Sequence, residues 1–255
     1  MVDTASAHSN GYSEESSIQK VQVASDSRDY VIFGNLKIYR HELQAALMDS
    51  IVVQQPYTPS ARSKFANPGP LGLCAFGIST LVLCLINAGA YGMRIPNAAV
   101  GLACFFGGAI QLFAGVWEFF VGNTFGFTAL TSYGAFWLAW AAIQIPSFGI
   151  KAAYTGESEQ YATAAGFFLT GWAIFTFMLT LLTFKSSVAF CALFSCLTIT
   201  FIFLAAGDFT GIFTVTRVGG IFGVITAVLA FYNAFAATAT KQNSYIRANV
   251  IPLSK

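Results

Sequence analysis

The sequence predicts an all-α, polytopic membrane protein with six transmembrane helices and both termini in the cytoplasm. Three observations carry that expectation. Only 9% of the 255 residues are charged and 56% are hydrophobic, with 26 Phe, whereas soluble domains carry roughly 25% charged residues. Six apolar runs, at about 71–91, 97–120, 125–146, 163–184, 187–207 and 214–238, each come near the roughly 20 residues needed to cross about 30 Å of hydrocarbon. Five bases, Arg62, Lys64, Lys185, Lys241 and Arg247, fall on the side of the two termini; Arg94, Lys151 and Arg217 fall opposite, beside Glu157, Glu159 and Asp208. This positive-inside bias sets the orientation.

Residues 1–66 form the expected cytoplasmic tail. Seven of the eleven acids lie there. Residues 1–28 are Ser-rich and poor in large apolar groups, a composition that resists folding. Met1 to about Ser27 has no apolar h-region, so the first membrane helix is expected to direct insertion. The stretch 36–49 reads as a short amphipathic helix, with Leu36, Ile38, Leu43, Ala46 and Leu47 on one side and Lys37, Arg40 and His41 placed to meet anionic lipid headgroups. Pro56 and Pro59 then break the chain.

Residues 67–240 form the expected transmembrane domain. The runs are separated by Arg94-Ile95-Pro96-Asn97, Gly122-Asn123, the stretch from Pro146 to Gln160, Lys185-Ser186-Ser187 and Gly207-Asp208. The brevity of the 185–187 turn predicts an antiparallel hairpin of helices four and five. Gly219, Gly223 and Ala227 in the sixth run, and Ala103 and Gly107 in the second, have the small-xxx-small spacing that lets helices approach closely. That spacing serves packing within one subunit or between subunits. Residues 241–255 are a second cytoplasmic tail.

Catalysis has no foothold in this sequence. Both His lie in the N-terminal tail, and no Walker loop, dinucleotide fingerprint or metal-ligand cluster occurs. The five Cys sit inside apolar runs and read as small buried hydrophobes. No enzyme activity, metal, cofactor or nucleic-acid partner is expected.

The candidate pathway residues are polar groups in apolar surroundings. Asn67-Pro68-Gly69-Pro70-Leu71-Gly72-Leu73 forms a rigid elbow where the tail meets the first run. Backbone of this kind is tolerated at membrane depth only when packed in protein or facing a wet cavity. Asn67 also stands where helix-terminal N–H groups would meet an anion. Glu118 is the one acid assigned to a span, a functional hypothesis by default. Gln111, seven residues earlier, shares its helix face. The pair forms part of a polar path or binds the turn at Asn123, or else Glu118 sits at the membrane interface and snorkels or caps neighbouring backbone. Thr124, Thr128 and Thr131 make a hydroxyl stripe in the third run, able to hydrogen-bond a carboxylate or to bond their own backbone. Tyr133, a large ring with a phenolic donor among small residues, suits a gate or ordinary packing.

Two of these stretches carry a resemblance. Asn67–Leu73 with Phe76 resembles the N-P-x-P-L-G-L signature of the acetate uptake transporter family, which spans bacterial succinate–acetate permeases and fungal acetate and ammonia-export proteins. Glu118, Gly122-Asn123-Thr124-Phe125-Gly126 and Ser132-Tyr133-Gly134-Ala135-Phe136-Trp137 are similar to the family's second signature. The resemblance covers about residues 65–240, and the long N-terminal tail is like that of fungal members. Gly69 stands where the family most often has Ala. The resemblance implies six helices per subunit, a homo-hexamer, and one pathway per subunit for acetate or another short monocarboxylate, proton-linked or channel-like. It implies a constriction of a Phe, a Tyr and a Leu, matched here by Phe76, Tyr133 and, counting back from Ala205-Ala206-Gly207, Leu197.

The expected function is therefore a plasma-membrane acetate transporter or channel. Two alternatives stand beside it: an ammonia or ammonium exporter of the same architecture, and a non-transporting membrane sensor acting through the N-terminal tail.

Overall fold

A computed structural model of the chain describes residues 30–33, 36–39 and 65–253. Two compact units divide at Val52–Val53. In the first, strands β1 (Tyr30–Phe33) and β2 (Leu36–Tyr39) pair antiparallel, with Phe33 opposite Leu36 and Tyr30 opposite Tyr39. This corrects the helix expected over 36–49: its first four residues are strand, and residues 40–49 lie outside the described residues. β-branched and aromatic residues flank Gly34-Asn35 on both sides, a two-residue hairpin signature that outweighs the helical spacing of Leu36, Ile38 and Leu43. The expected tail character of 1–28 also lies outside the described residues.

The second unit is a bundle of six long helices, as the apolar runs predict. They are α1 (Gly69–Asn87), α2 (Asn97–Phe120), α3 (Thr124–Gln144), α4 (Ser158–Leu182), α5 (Val188–Thr210) and α6 (Phe213–Thr238). All but α3 are both long and apolar enough to cross a membrane. α3 has the length, at 21 residues, but its Thr, Ser, Tyr and Gly dilute its hydropathy. The bundle buries polar side chains within its apolar core and turns many large apolar side chains outward. Phe105, Phe167 and Ile174 are 73%, 67% and 67% exposed, whereas Ser79, Gln111, Thr176 and Thr226 are fully buried. That inversion is what a lipid solvent demands, because internal polar groups must be satisfied by protein or water.

α1 packs between α6 and the α2–α3 pair, α6 packs on α5, and α5 packs on α4. Small residues set these distances. A Cβ at Gly223 would lie 2.2 Å from Cys84 Sγ, one at Gly219 3.0 Å from Leu204, and one at Gly107 2.4 Å from Ser79 Oγ. Both small-residue patterns therefore serve packing within the chain. α2 carries a π-helical turn over Phe105–Ile110, around Gly107 and Gly108.

The α4–α5 connection is the short turn expected. Ser187 Oγ accepts from Phe190 N at 3.3 Å, capping α5. The segment after α6 returns to this turn: Val188 N donates to Ile251 O and Leu253 N to Ser186 O, both at 2.9 Å. α5 continues past the expected end near 207, so Asp208 lies within a helix rather than in a loop.

Candidate functional site

α3 faces α4 and α5 across a seam bridged by aromatic rings. Phe125 meets Phe190 and Phe194, Tyr133 meets Trp172, Phe175 and Phe194, and Phe136 meets Phe168, Trp172 and Phe201. Two cavities lie along it, near opposite ends of the helices.

The first cavity, of about 40 Å³, takes residues from the start of α1, the end of α2, and the first halves of α3 and α5. Phe76, Tyr133 and Leu197 all line it and are all buried. Phe76 and Tyr133 approach to 5.8 Å between ring centroids. The Tyr133 hydroxyl turns away from them and donates to Thr176 Oγ1 on α4 at 3.0 Å, which locks the ring in place. Three residues singled out from motifs on three helices thus converge on one wall.

The polar end of this cavity is made by the α2–α3 turn. Glu118 is 2% exposed. Asn123 Nδ2 donates to its Oε2 at 2.8 Å, and Asn123 Oδ1 accepts from Gly126 N at 3.0 Å, capping α3. Asn123 N also donates to Glu118 O at 3.0 Å. Gly122, at φ +80°, makes the reversal that a side chain would strain. Gly126 admits the network: a Cβ there would lie 2.5 Å from Asn123 Nδ2 and 2.8 Å from Glu118 Cδ. Of the sequence readings for Glu118, the structure shows binding of the Asn123 turn, at a buried place that also borders the cavity.

Gln111 lines the same cavity as Glu118, as their seven-residue spacing requires. It follows the π turn directly, and among the described residues its buried amide has no partner at either Oε1 or Nε2. A buried polar group left open in this way is an outstanding hydrogen-bonding demand. Asn67 is exposed and accepts from Gly69 N at 3.0 Å through Oδ1. It uses one helix-terminal N–H itself, while buried Gly69 lines the cavity.

The hydroxyl stripe is elsewhere. Thr124, Thr128 and Thr131 do not line the cavity; Thr124 is exposed, and Thr131 Oγ1 donates to Phe127 O in its own helix. This is the backbone-bonding alternative, since the stripe lies on the opposite side of α3 from Tyr133.

The second cavity, of about 360 Å³, was not anticipated. Its polar lining includes Asn87, Gln144, Tyr161, Asp208 and Thr216, contributed by α1, α3, α4, α5 and α6, and Tyr154 from the connection before α4. Sequence reasoning assigned Asp208 to a loop because Gly207 precedes it. Gly207 instead serves contact: a Cβ there would lie 2.3 Å from Thr216 Oγ1. Between the cavities lie the steps from Phe76 to Leu83, Tyr133 to Phe136 and Leu197 to Leu204, about 10 Å along α1 and α5 at the helical rise.

Residues 51–255 match the GPR1/FUN34/yaaH family. The chain belongs to that family. Among relatives, it is 46% identical to the ammonia transport outward protein 2 of Saccharomyces cerevisiae, over 94% of this chain and 84% of that protein. It is 44% identical to acetate permease A of Emericella nidulans, over 75% and 66% of the respective chains. The solved structure of the bacterial acetate channel SatP matches with a TM-score of 0.65 at 35% identity, covering 72% of this chain and 97% of that one. The helical bundle of this GPR1/FUN34/yaaH member is thus the SatP fold, and the chain is a multi-pass membrane protein.

Proposed function

We propose that this chain is a plasma-membrane transporter or channel for acetate and other short monocarboxylates, and not an enzyme. In this reading all six helices span, both termini are cytoplasmic, and the subunit works within a homo-hexamer. The observation that carries it is that Phe76, Tyr133 and Leu197, from three helices, share the buried wall of the first cavity. A ring of apolar groups disfavours hydrated ions and makes dehydration the main barrier, and acetate presents a small methyl end to such a ring. Gln111, with both amide atoms open, supplies a donor to the carboxylate. Among the described residues no Lys or Arg lines either cavity, which favours weak binding and rapid passage, proton-linked or passive. The names of acetate permease A and the SatP channel support the same cargo.

The test is flux of labelled acetate into proteoliposomes, measured above the leak of protein-free liposomes. Saturable uptake is expected; uptake equal to the leak overturns the function. Ammonium export is the second reading, favoured by the name of the yeast relative and by Glu118 at the first cavity. Electrical recording with ammonium against acetate separates the two. The sensor reading rests on the N-terminal tail and predicts that no flux exists.

A further inference from the structure

Among the described residues, Asp208 is the one charged residue lining the 360 Å³ cavity. It is half-buried on the last turn of α5, and among the described residues no base forms an ion pair with it. The other titratable groups in the lining are Tyr161 from α4 and Tyr154 from the connection before it; α1, α3 and α6 supply Asn87, Gln144 and Thr216, all uncharged. Tyr161, Gln144 and Asp208 share this lining. Three bases stand near lining residues, but none lines the cavity among the described residues: Arg94 lies over the Phe213 ring at 4.1 Å, Lys151 Nζ lies 5.3 Å from the ring centroid of Tyr161, and exposed Arg217 follows Thr216 on α6. Apolar walls from Leu83, Trp140, Phe168 and Leu204 complete the cavity.

A second carboxylate entering this space as an anion meets a like charge, and among the described residues no Lys or Arg lines the space to offset it. Two carboxyl groups brought together in one site resolve that conflict by holding a single proton between them. We infer that the second cavity binds a short monocarboxylate as an acid–carboxylate pair with Asp208, so that Asp208 couples one proton to each substrate. The inference rests on the monocarboxylate reading of the pathway and assigns the coupling to a residue. One proton from water and one acetate anion enter, and the proton sits between an acetate oxygen and an Asp208 oxygen. Asn87, Gln144, Tyr161 and Thr216 are the groups available to the remaining oxygens. Acetic acid then leaves for the Phe76–Tyr133–Leu197 wall carrying the proton, and Asp208 returns to its carboxylate. No other bond changes.

The experiment reconstitutes the full chain in liposomes, records labelled acetate, internal pH and current together, and subtracts protein-free liposomes. The native chain is expected to move one proton per acetate without current. Asp208→Asn, whose amide can donate to an acetate anion, is expected to move acetate with current and with the proton ratio lowered at least fivefold. Asp208→Glu is expected to keep the native ratio. Native flux carried as acetate current overturns the inference even if no variant folds. So does an unchanged ratio in Asp208→Asn, or competition by methylammonium that Asp208→Asn abolishes, which marks a cation site. Native flux equal to the leak overturns the monocarboxylate reading itself.

Discussion

Asn123 holds Glu118 at 2.8 Å through its side-chain N–H while capping α3 through its side-chain oxygen. One residue thus satisfies a buried carboxylate and a helix start at once. Replacing it by Ala leaves both unpartnered. Asn123→Ala is expected to cost about 2–3 kcal/mol, read as a lower melting temperature in detergent. A shift no larger than that of a substitution on the exposed face of α4 would show that water replaces the lost bonds.

Gly223 and Gly101 offer a paired test of packing. A Cβ at Gly223 meets Cys84 Sγ at 2.2 Å, whereas one at Gly101 meets nothing within 4 Å. Gly223→Ala is expected to destabilise by about 1–3 kcal/mol through overpacking, and Gly101→Ala to be neutral or stabilising by up to about 1 kcal/mol through helix propensity. Equal melting temperatures for the two variants would contradict the close α1–α6 contact.

The Tyr133–Thr176 hydrogen bond fixes the orientation of a ring shared by α1, α3 and α4 contacts. A double-mutant cycle with Tyr133→Phe and Thr176→Val is expected to give a coupling energy of about 1 kcal/mol. Strict additivity would mean that the hydroxyl bonds elsewhere.

Ile251 and Leu253 tie the C-terminal segment to the α4–α5 turn, and Tyr232 OH donates to Asn249 O at 2.7 Å. Deleting residues 249–255 removes the acceptor of the Val188 amide. Hydrogen exchange at Val188 is then expected to accelerate at least tenfold. Unchanged protection would show that these bonds open freely in the intact chain.

The helices were legible because lipid imposes long apolar runs, and the breaks at Arg94–Asn97 and Lys185–Ser187 contain residues that stop them. The motif residues Phe76 and Tyr133 were legible through their neighbours, as was Leu197 through Ala205-Ala206-Gly207. The shared face of Gln111 and Glu118 followed from spacing alone, because regular helix separates them. Three features escaped. The π turn arises from tertiary packing at Gly107 and Gly108, which no periodicity encodes. The threonine stripe was periodic but on the wrong side of α3, since period does not say which face turns inward. Asp208 was hidden by Gly207, read as a breaker although its role is close contact with Thr216. The Gly34-Asn35 hairpin signal was present and was overridden by a helical pattern.

The most direct measurement is acetate flux through proteoliposomes bearing Phe76→Ala, Tyr133→Ala or Leu197→Ala, each checked for native folding. If these three residues form the constriction, each widened wall raises the rate or admits larger monocarboxylates, with the acetate-to-butyrate ratio falling at least severalfold. Rates and selectivity unchanged from the native chain in all three would contradict a pathway through this wall.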